Sequence, residues 1–171
     1  FQSTSAPDGM CMDFYGPAPG SRHDAHINRE SLINDRMEAA QRNVLGIQNP
    51  RRFYWLYKDK AYVNETCARA AHRAPLTPFE SYENAIMSGA RITVEWVFGE
   101  QKNQFKLLSD YRKLSLTRTA VGKLIMASMI LQNCRTCLYG SQVGDMFDLN
   151  PPTLGEYFGM PEIEADEHIR F

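Results

Sequence analysis

Apolar positions along this chain change period several times, and each change marks an element. From Ser88 to Phe105 the repeat is helical: Ile92, Val94, Val97, Phe98 and Phe105 form one apolar stripe. A neighbouring stripe places Arg91, Glu95, Phe98 or Gly99, and Lys102 at i, i+4, i+7 and i+11, which sets a carboxylate between two cations. Tyr54 to Tyr62 is different, a short aromatic strand closing on an acid, Asp59. Phe1–Ala6 and Met10–Tyr15 alternate weakly about the turn signal Pro7-Asp8-Gly9, so the opening segment is predicted to be a β-hairpin.

Gly16-Pro17-Ala18-Pro19-Gly20 breaks regular structure. Asn28 through Gln41 then returns to the helical period, with Ile27, Leu32, Ile33 and Met37 on one face and Arg36, Glu38 and Arg42 on the other. Tyr62 to Arg73 is polar with scattered alanines, compatible with a short helix, and Pro75 and Pro78 demand an extended or turning segment before the Arg91 helix. Leu114 to Leu138 carries the strongest helical pattern. Val121, Leu124, Ile125, Met129, Ile130, Leu131, Cys134 and Leu138 make a wide apolar face expected to cover the sheet, with Thr117 or Thr119 as its cap. From Gly140 to Phe171, prolines, glycines and acids predict an irregular tail, ordered only where Phe147, Leu154, Tyr157 and Phe158 find a groove. No internal repeat is present.

At 171 residues the chain suits one domain with a substantial core, here residues 1–139, followed by the acidic tail 140–171. A hydrophobic content of 43% with 23% charged residues is ordinary for a globular protein, and no segment is apolar enough for a bilayer or a secretory signal. Net charge is only −1 yet unevenly spread: thirteen Lys/Arg oppose seven Asp/Glu between Arg51 and Lys123, whereas Arg170 alone opposes seven acids after Gly140. A basic surface that meets phosphates, shielded by an acidic tail, would explain this; so would simple solubility. The cysteines, Cys11, Cys67, Cys134 and Cys137, do not form a disulfide framework and fit a reducing compartment. Cys134-x-x-Cys137 has zinc spacing, but it falls in an apolar helix without a second close pair, so small buried hydrophobes account for it better.

The Arg91–Glu95–Lys102 stripe alone allows two readings, a divalent-metal ligand or i,i+4 ion pairs in water. Asp59 shifts the balance, because open α/β sheets place chemistry at the carboxyl ends of their strands. His23-Asp24 with His26 is either half of a metal site or a loop that caps the following helix.

Several motifs occur together and in order: Pro19-Gly20-Ser21-Arg22-His23-Asp24, Ser31-Leu32, Lys58-Asp59-Lys60-Ala61-Tyr62, Leu76-Thr77-Pro78-Phe79, Asn84, Ala90-Arg91 with Val94-Glu95, Phe98-Gly99, Lys102, Phe105 and Leu131-Gln132-Asn133. Over roughly Phe1 to Leu138 the chain thereby resembles the DDE-type endonuclease domain of Harbinger-type transposases and their domesticated relatives. The Arg91, Glu95, Lys102 stripe and the Asp59 motif are also similar to bacterial insertion-sequence transposases.

The resemblance implies an α/β fold, an RNase H-like mixed sheet flanked by helices. It also implies a triad of two Asp and one Glu that holds two Mg²⁺ or Mn²⁺ ions. Asp59 takes the place of the second Asp and Glu95 that of the Glu. Arg91 and Lys102 become phosphate contacts, Lys58 and Lys60 help steer the polyanion, and His23 and Asp24 shape the loop beside the site. The residue types suit the chemistry: phosphodiester cleavage uses hard divalent cations, which favour carboxylate oxygens held on a rigid scaffold. The implied partners are DNA and a separate DNA-binding protein, with nuclear localisation in a eukaryote and cytoplasmic otherwise.

Departures from the family pattern are specific. The first catalytic Asp would lie on a strand preceding the opening hairpin and is not matched by Asp13 or Asp24. Lys58 stands where a small Gly often precedes the Asp, Ala61 where Gly is usual, and Ser88 where the bacterial signature has Tyr. With the first carboxylate unmatched, the expectation is a nuclease-family domain that cannot cut DNA unaided, of low stability or prone to self-association through open strand edges. The alternatives are a non-catalytic DNA- or protein-binding module and, more remotely, a structural zinc domain.

Overall fold

The computed structural model describes residues 1–49, 53–59, 62, 64–109 and 120–160. The described elements run β1 (Gln2–Ser5), β2 (Cys11–Tyr15), α1 (Asp24–Ser31), α2 (Ile33–Asn43), β3 (Leu56–Lys58), β4 (Ala68–Ala70), α3 (Pro78–Gln104), a 3₁₀ turn (Lys106–Ser109), α4 (Val121–Tyr139), α5 (Gln142–Phe147) and α6 (Leu154–Tyr157). The architecture is mixed α/β. Among the described residues there are two two-stranded sheets rather than one mixed sheet: β1 pairs antiparallel with β2, and β3 pairs parallel with β4.

The hairpin forms where its turn chemistry requires. The Gly9 N–H donates to the Ala6 carbonyl at 3.0 Å, and the Asp8 carboxylate accepts from the Met10 N–H at 2.9 Å. Gly9 has φ of +87°, and a Cβ there would lie 1.9 Å from Ser141 Oγ, so both conformation and space call for glycine. Where one helix from 28 to 41 was expected, Leu32 turns left-handed (φ 52°) and divides it into α1 and α2. The break has a packing reason. Ile27 and Ile33 are both buried, and a continuous helix would set residues six apart about 240° round its axis. Leu32 itself is left exposed.

The short helix expected within 62–73 is replaced by strand β4. Its Ala68, together with Cys67, is fully buried against β3, and tertiary pairing overrides the helical preference of alanine. Helix α3 is the longest element, 27 residues or about 40 Å. It starts earlier than its apolar stripe suggests, with Pro78 in the first turn and a capping box in which Thr77 Oγ1 accepts from the Glu80 N–H while the Glu80 carboxylate accepts from the Thr77 N–H. It packs against both β1 and β3, and so joins the two sheets.

Cys11, Val97, Met129 and Val143 form the core cluster, with Phe14, Trp96, Phe98 and Phe147 packed against it. Strand β2, α3, α4 and α5 therefore meet in one place. Of the apolar face expected of α4, Met129 is buried in the core and Val121, Leu124, Ile125 and Cys134 are half-buried, yet the fully buried positions are mostly polar. Its inner face is Ser128, Met129, Gln132, Asn133 and Thr136, while Ile130, Leu131 and Leu138 are exposed. Polar contacts hold this face: Gln101 Nε2 donates to Ser128 Oγ at 2.7 Å, and Gln132 Nε2 to the Glu100 carboxylate at 2.8 Å. The expected caps Thr117 and Thr119 lie outside the described residues. Beyond α4, Phe147 of α5 joins the core and the Tyr157 hydroxyl of α6 accepts from Asn133 at 3.2 Å.

Three side-chain amides act as substitute strand neighbours. Asn133 both accepts from the Cys11 N–H and donates to its carbonyl, each at 2.9 Å. Asn84 treats His72 in the same way, at 2.8 and 3.0 Å, and Gln41 pairs with both backbone groups of Tyr54. Each clamp satisfies a backbone segment that has no ladder partner on that side.

Candidate active-site cleft

A cleft of about 490 Å³ opens between β1 and β3 and is floored by α3. Residues 2–7 and 55–59 line it without a gap. In a strand, successive side chains point to opposite faces, so an unbroken run means that both strands turn their edges to the cleft. Its size falls in the range of ligand-binding clefts.

Asp59 directly follows the last residue of β3, and Glu95 rises from the middle of α3; both line this cleft and both are solvent-exposed. Arg91, one helical turn before Glu95, lines it as well and is half-buried. Asp24 reaches it from the first turn of α1, not from a loop. His23 is the N-cap residue of α1, makes no capping bond through its side chain and does not line the cleft. Lys102 lies on α3 about 10 Å beyond Glu95 and is not among the lining residues. Lys60 lies outside the described residues.

Two further residues shape the site. Tyr62 lines the cleft beside Asp59: its N–H donates to the Asp59 carbonyl at 3.0 Å. Burial first, then the charges of Asp24 and Asp59, push its phenol above the ordinary tyrosine value. Lys58, expected to steer a polyanion, is instead an internal anchor. Its ammonium donates to Asn28 Oδ1 at 2.8 Å and Asn34 Oδ1 at 2.7 Å, lies 3.9 Å from Glu65, and stands 5.7 Å from the centroid of the Tyr62 ring. Burial holds its pKa below that of an ordinary lysine. These bonds tie the residue before Asp59 to both α1 and α2, and so fix where β3 ends. Nothing in the spacing of Asn28 and Asn34 announces this role, because it depends on the break at Leu32.

Other candidates lie elsewhere. Asp13 pairs with Arg36 at 2.7 Å, and His26 pairs with Glu30 at 3.2 Å. Glu30 also accepts from Arg22, whose guanidinium holds that carboxyl below its usual range. Cys11 is buried against α4 through Asn133 and Cys67 is buried beside β4, and all four cysteines are free thiols. Among the described residues no three His, Cys, Asp or Glu side chains come together in a way that could hold a metal ion. The cleft carboxylates Asp24, Asp59 and Glu95 suit a hard divalent cation in kind, but among the described residues they do not converge on one point.

A family model described as DDE superfamily endonuclease matches residues 1–133. No curated relative and no solved structure matches the chain.

Proposed function

The chain belongs to the DDE superfamily endonucleases, and from that premise we propose that the cleft between β1 and β3 is a DNA phosphodiester site of the Harbinger type. The observation that carries this reading is that Asp59 and Glu95, 36 positions apart and on different elements, line the same cleft as Arg91. Asp59 and Glu95 would offer oxygens to Mg²⁺ or Mn²⁺, and Arg91 would receive a phosphate. Such a cation, when bound, polarises the phosphoryl oxygen and lowers the pKa of a bound water. An RNase H-like sheet would carry one more strand between the facing edges of β1 and β3, and the remaining carboxylate of the triad with it; the open edges on both sides of the cleft support that arrangement. Among the described residues the cleft carboxylates do not gather into a metal-holding group, which supports a domain that binds DNA and does not cut it unaided.

The test pairs cleavage with binding. Supercoiled plasmid incubated with Mn²⁺ and the chain stays intact; nicking that disappears in Glu95→Ala would overturn the claim of incompetence. Fluorescence anisotropy on duplex DNA should show that Arg91→Ala weakens binding and lowers the salt slope by about one. A wild-type chain that does not bind DNA at low salt would leave the second reading, a protein-binding module derived from the nuclease domain, which the spread of the cleft carboxylates favours.

A further inference from the structure

A second cleft, of about 530 Å³, lies between the β3–β4 pair and the first half of α3. Its volume falls in the range of ligand-binding clefts. The sequence builds one wall by alternation. Every other side chain of a strand shares a face, so Trp55 and Tyr57 point the same way, and the parallel register sets Arg69 directly beside Tyr57. The Arg69 guanidinium accordingly stacks over the Trp55 ring, 4.8 Å from its centroid. Tyr57 is 51% exposed and Arg69 is exposed, while Ile86 and Met87 of α3 supply an apolar lining opposite.

Two aromatic rings and a guanidinium on one open strand face suit a flat π system that carries a phosphate. Both lining carboxylates are engaged: Glu65 lies 3.9 Å from the Lys58 ammonium, and Glu83 lies 3.0 Å from His72 Nε2. Among the described residues Arg69 makes no ion pair, so its guanidinium is open to an anion. Position ties this cleft to DNA. Trp55 and Tyr57 line the first cleft as well, and Asp59 follows Tyr57 by two residues, about 7 Å along the strand. A DNA strand with a phosphate at Asp59 therefore brings a neighbouring base to the rings. Within a duplex the faces of each base are covered by its neighbours, and only an unpaired base can lie flat on a side chain.

We propose that the second cleft seats one unpaired base of the bound DNA, stacked on Tyr57 and Trp55, so that the protein selects DNA that is opened beside the phosphate site. The inference rests on the DNA reading of the first cleft. Its energetic logic is simple. An intact duplex must break a pair and unstack a base before the rings can be used, whereas a duplex with a bulge has already done so. Every base has a π face, so the seat discriminates paired from unpaired and not one base from another.

Fluorescence anisotropy of the whole chain on two labelled DNAs, an intact duplex and the same duplex with a single-base bulge, tests the proposal. The expected result is binding of the bulged duplex about 10-fold tighter, a preference that Tyr57→Ala abolishes and Tyr57→Phe keeps, with affinity for the intact duplex the same in all three proteins. Equal affinity of the wild type for the two DNAs, or a preference that a folded Tyr57→Ala retains, overturns this inference alone and leaves the Arg91 site standing. Failure to bind either DNA overturns the reading beneath it, and this one with it. Should Tyr57→Ala lose its helical circular dichroism, photocross-linking of the wild type to a bulge that carries iodouracil at the unpaired position decides. An adduct on Tyr57 or Trp55 supports the seat, and adducts only elsewhere, or none from a bound complex, overturn it.

Discussion

Lys58 and Asn133 show how much single side chains carry in this small protein. Asn133 is buried and satisfies both backbone groups of Cys11, itself in the core. Asn133→Ala leaves that N–H and carbonyl without partners in a place water does not reach, and should cost about 2–3 kcal/mol in denaturant unfolding. A loss below about 0.5 kcal/mol would mean that the clamp is dispensable. Lys58 behaves differently, because its burial depresses a base. The unfolded chain then binds more protons than the folded one between the lowered pKa and the ordinary value of 10.5. Stability therefore rises with pH through that window. Lys58→Met should flatten the rise, read as the difference between wild-type and variant unfolding free energies at pH 8 to 10.5. If the two curves run parallel, Lys58 is not held as described. Motif order and a strand-end acid singled out Asp59 and Glu95, and both line the cleft. The anchor was not legible, because a lysine beside an acid looks the same in sequence whether it faces DNA or two asparagines.

Among the elements, legibility followed how local the cause was. The hairpin is written in Pro7-Asp8-Gly9 and the α3 stripe in its 3.6 period, and both were readable. The division at Leu32 and strand β4 depend on contacts from other segments, and the face buried by α4 depends on which side its partners occupy. Counting apolar positions assumes that they point inward, and on α4 that assumption holds for Met129 and fails for Ile130, Leu131 and Leu138. The start of α3 was half visible. Thr77-Pro78 looked extended, yet Thr77 and Glu80 three residues later form a capping box. Thr77→Ala removes the cap at a cost of about 1 kcal/mol. The bonds from Thr77 hold the Glu80 carboxyl below its ordinary value of 4.5, so the cap's contribution is present above that pH and fades as pH falls through the lowered pKa. Amide exchange at Ser81 and Tyr82 should accelerate in Thr77→Ala at neutral pH. Acidification slows intrinsic exchange in both, but the ratio of variant to wild type should shrink, and a constant ratio down to pH 3 would refute the coupling.

At the scale of the whole molecule, α3 is what makes two small sheets into one body with a cleft. The core cluster draws residues from β2, α3, α4 and α5 and none from β3 or β4, whose sheet reaches the rest through α3 and, by Lys58, through α1 and α2. Two cooperative units follow: the hairpin with α4 and α5 around Val97, and the β3–β4 pair with the Asp59 end of the cleft. Opening of the second unit need not disturb the first, since Leu56 is bonded to Cys67 and not to any core residue. Val97 is 3% exposed, and Val97→Ala should remove about 1–2 kcal/mol from the first unit through lost burial and a residual cavity. Native-state hydrogen exchange can separate the units. The Cys11 amide and those of α4 should accelerate by the full cost of the substitution, while Leu56 and Ala70 exchange through their own smaller opening at a rate the substitution hardly changes. Equal acceleration at Cys11 and Leu56 would make the molecule a single unit. Asp59 and Glu95 would then share one fixed geometry, rather than a cleft whose two walls open independently.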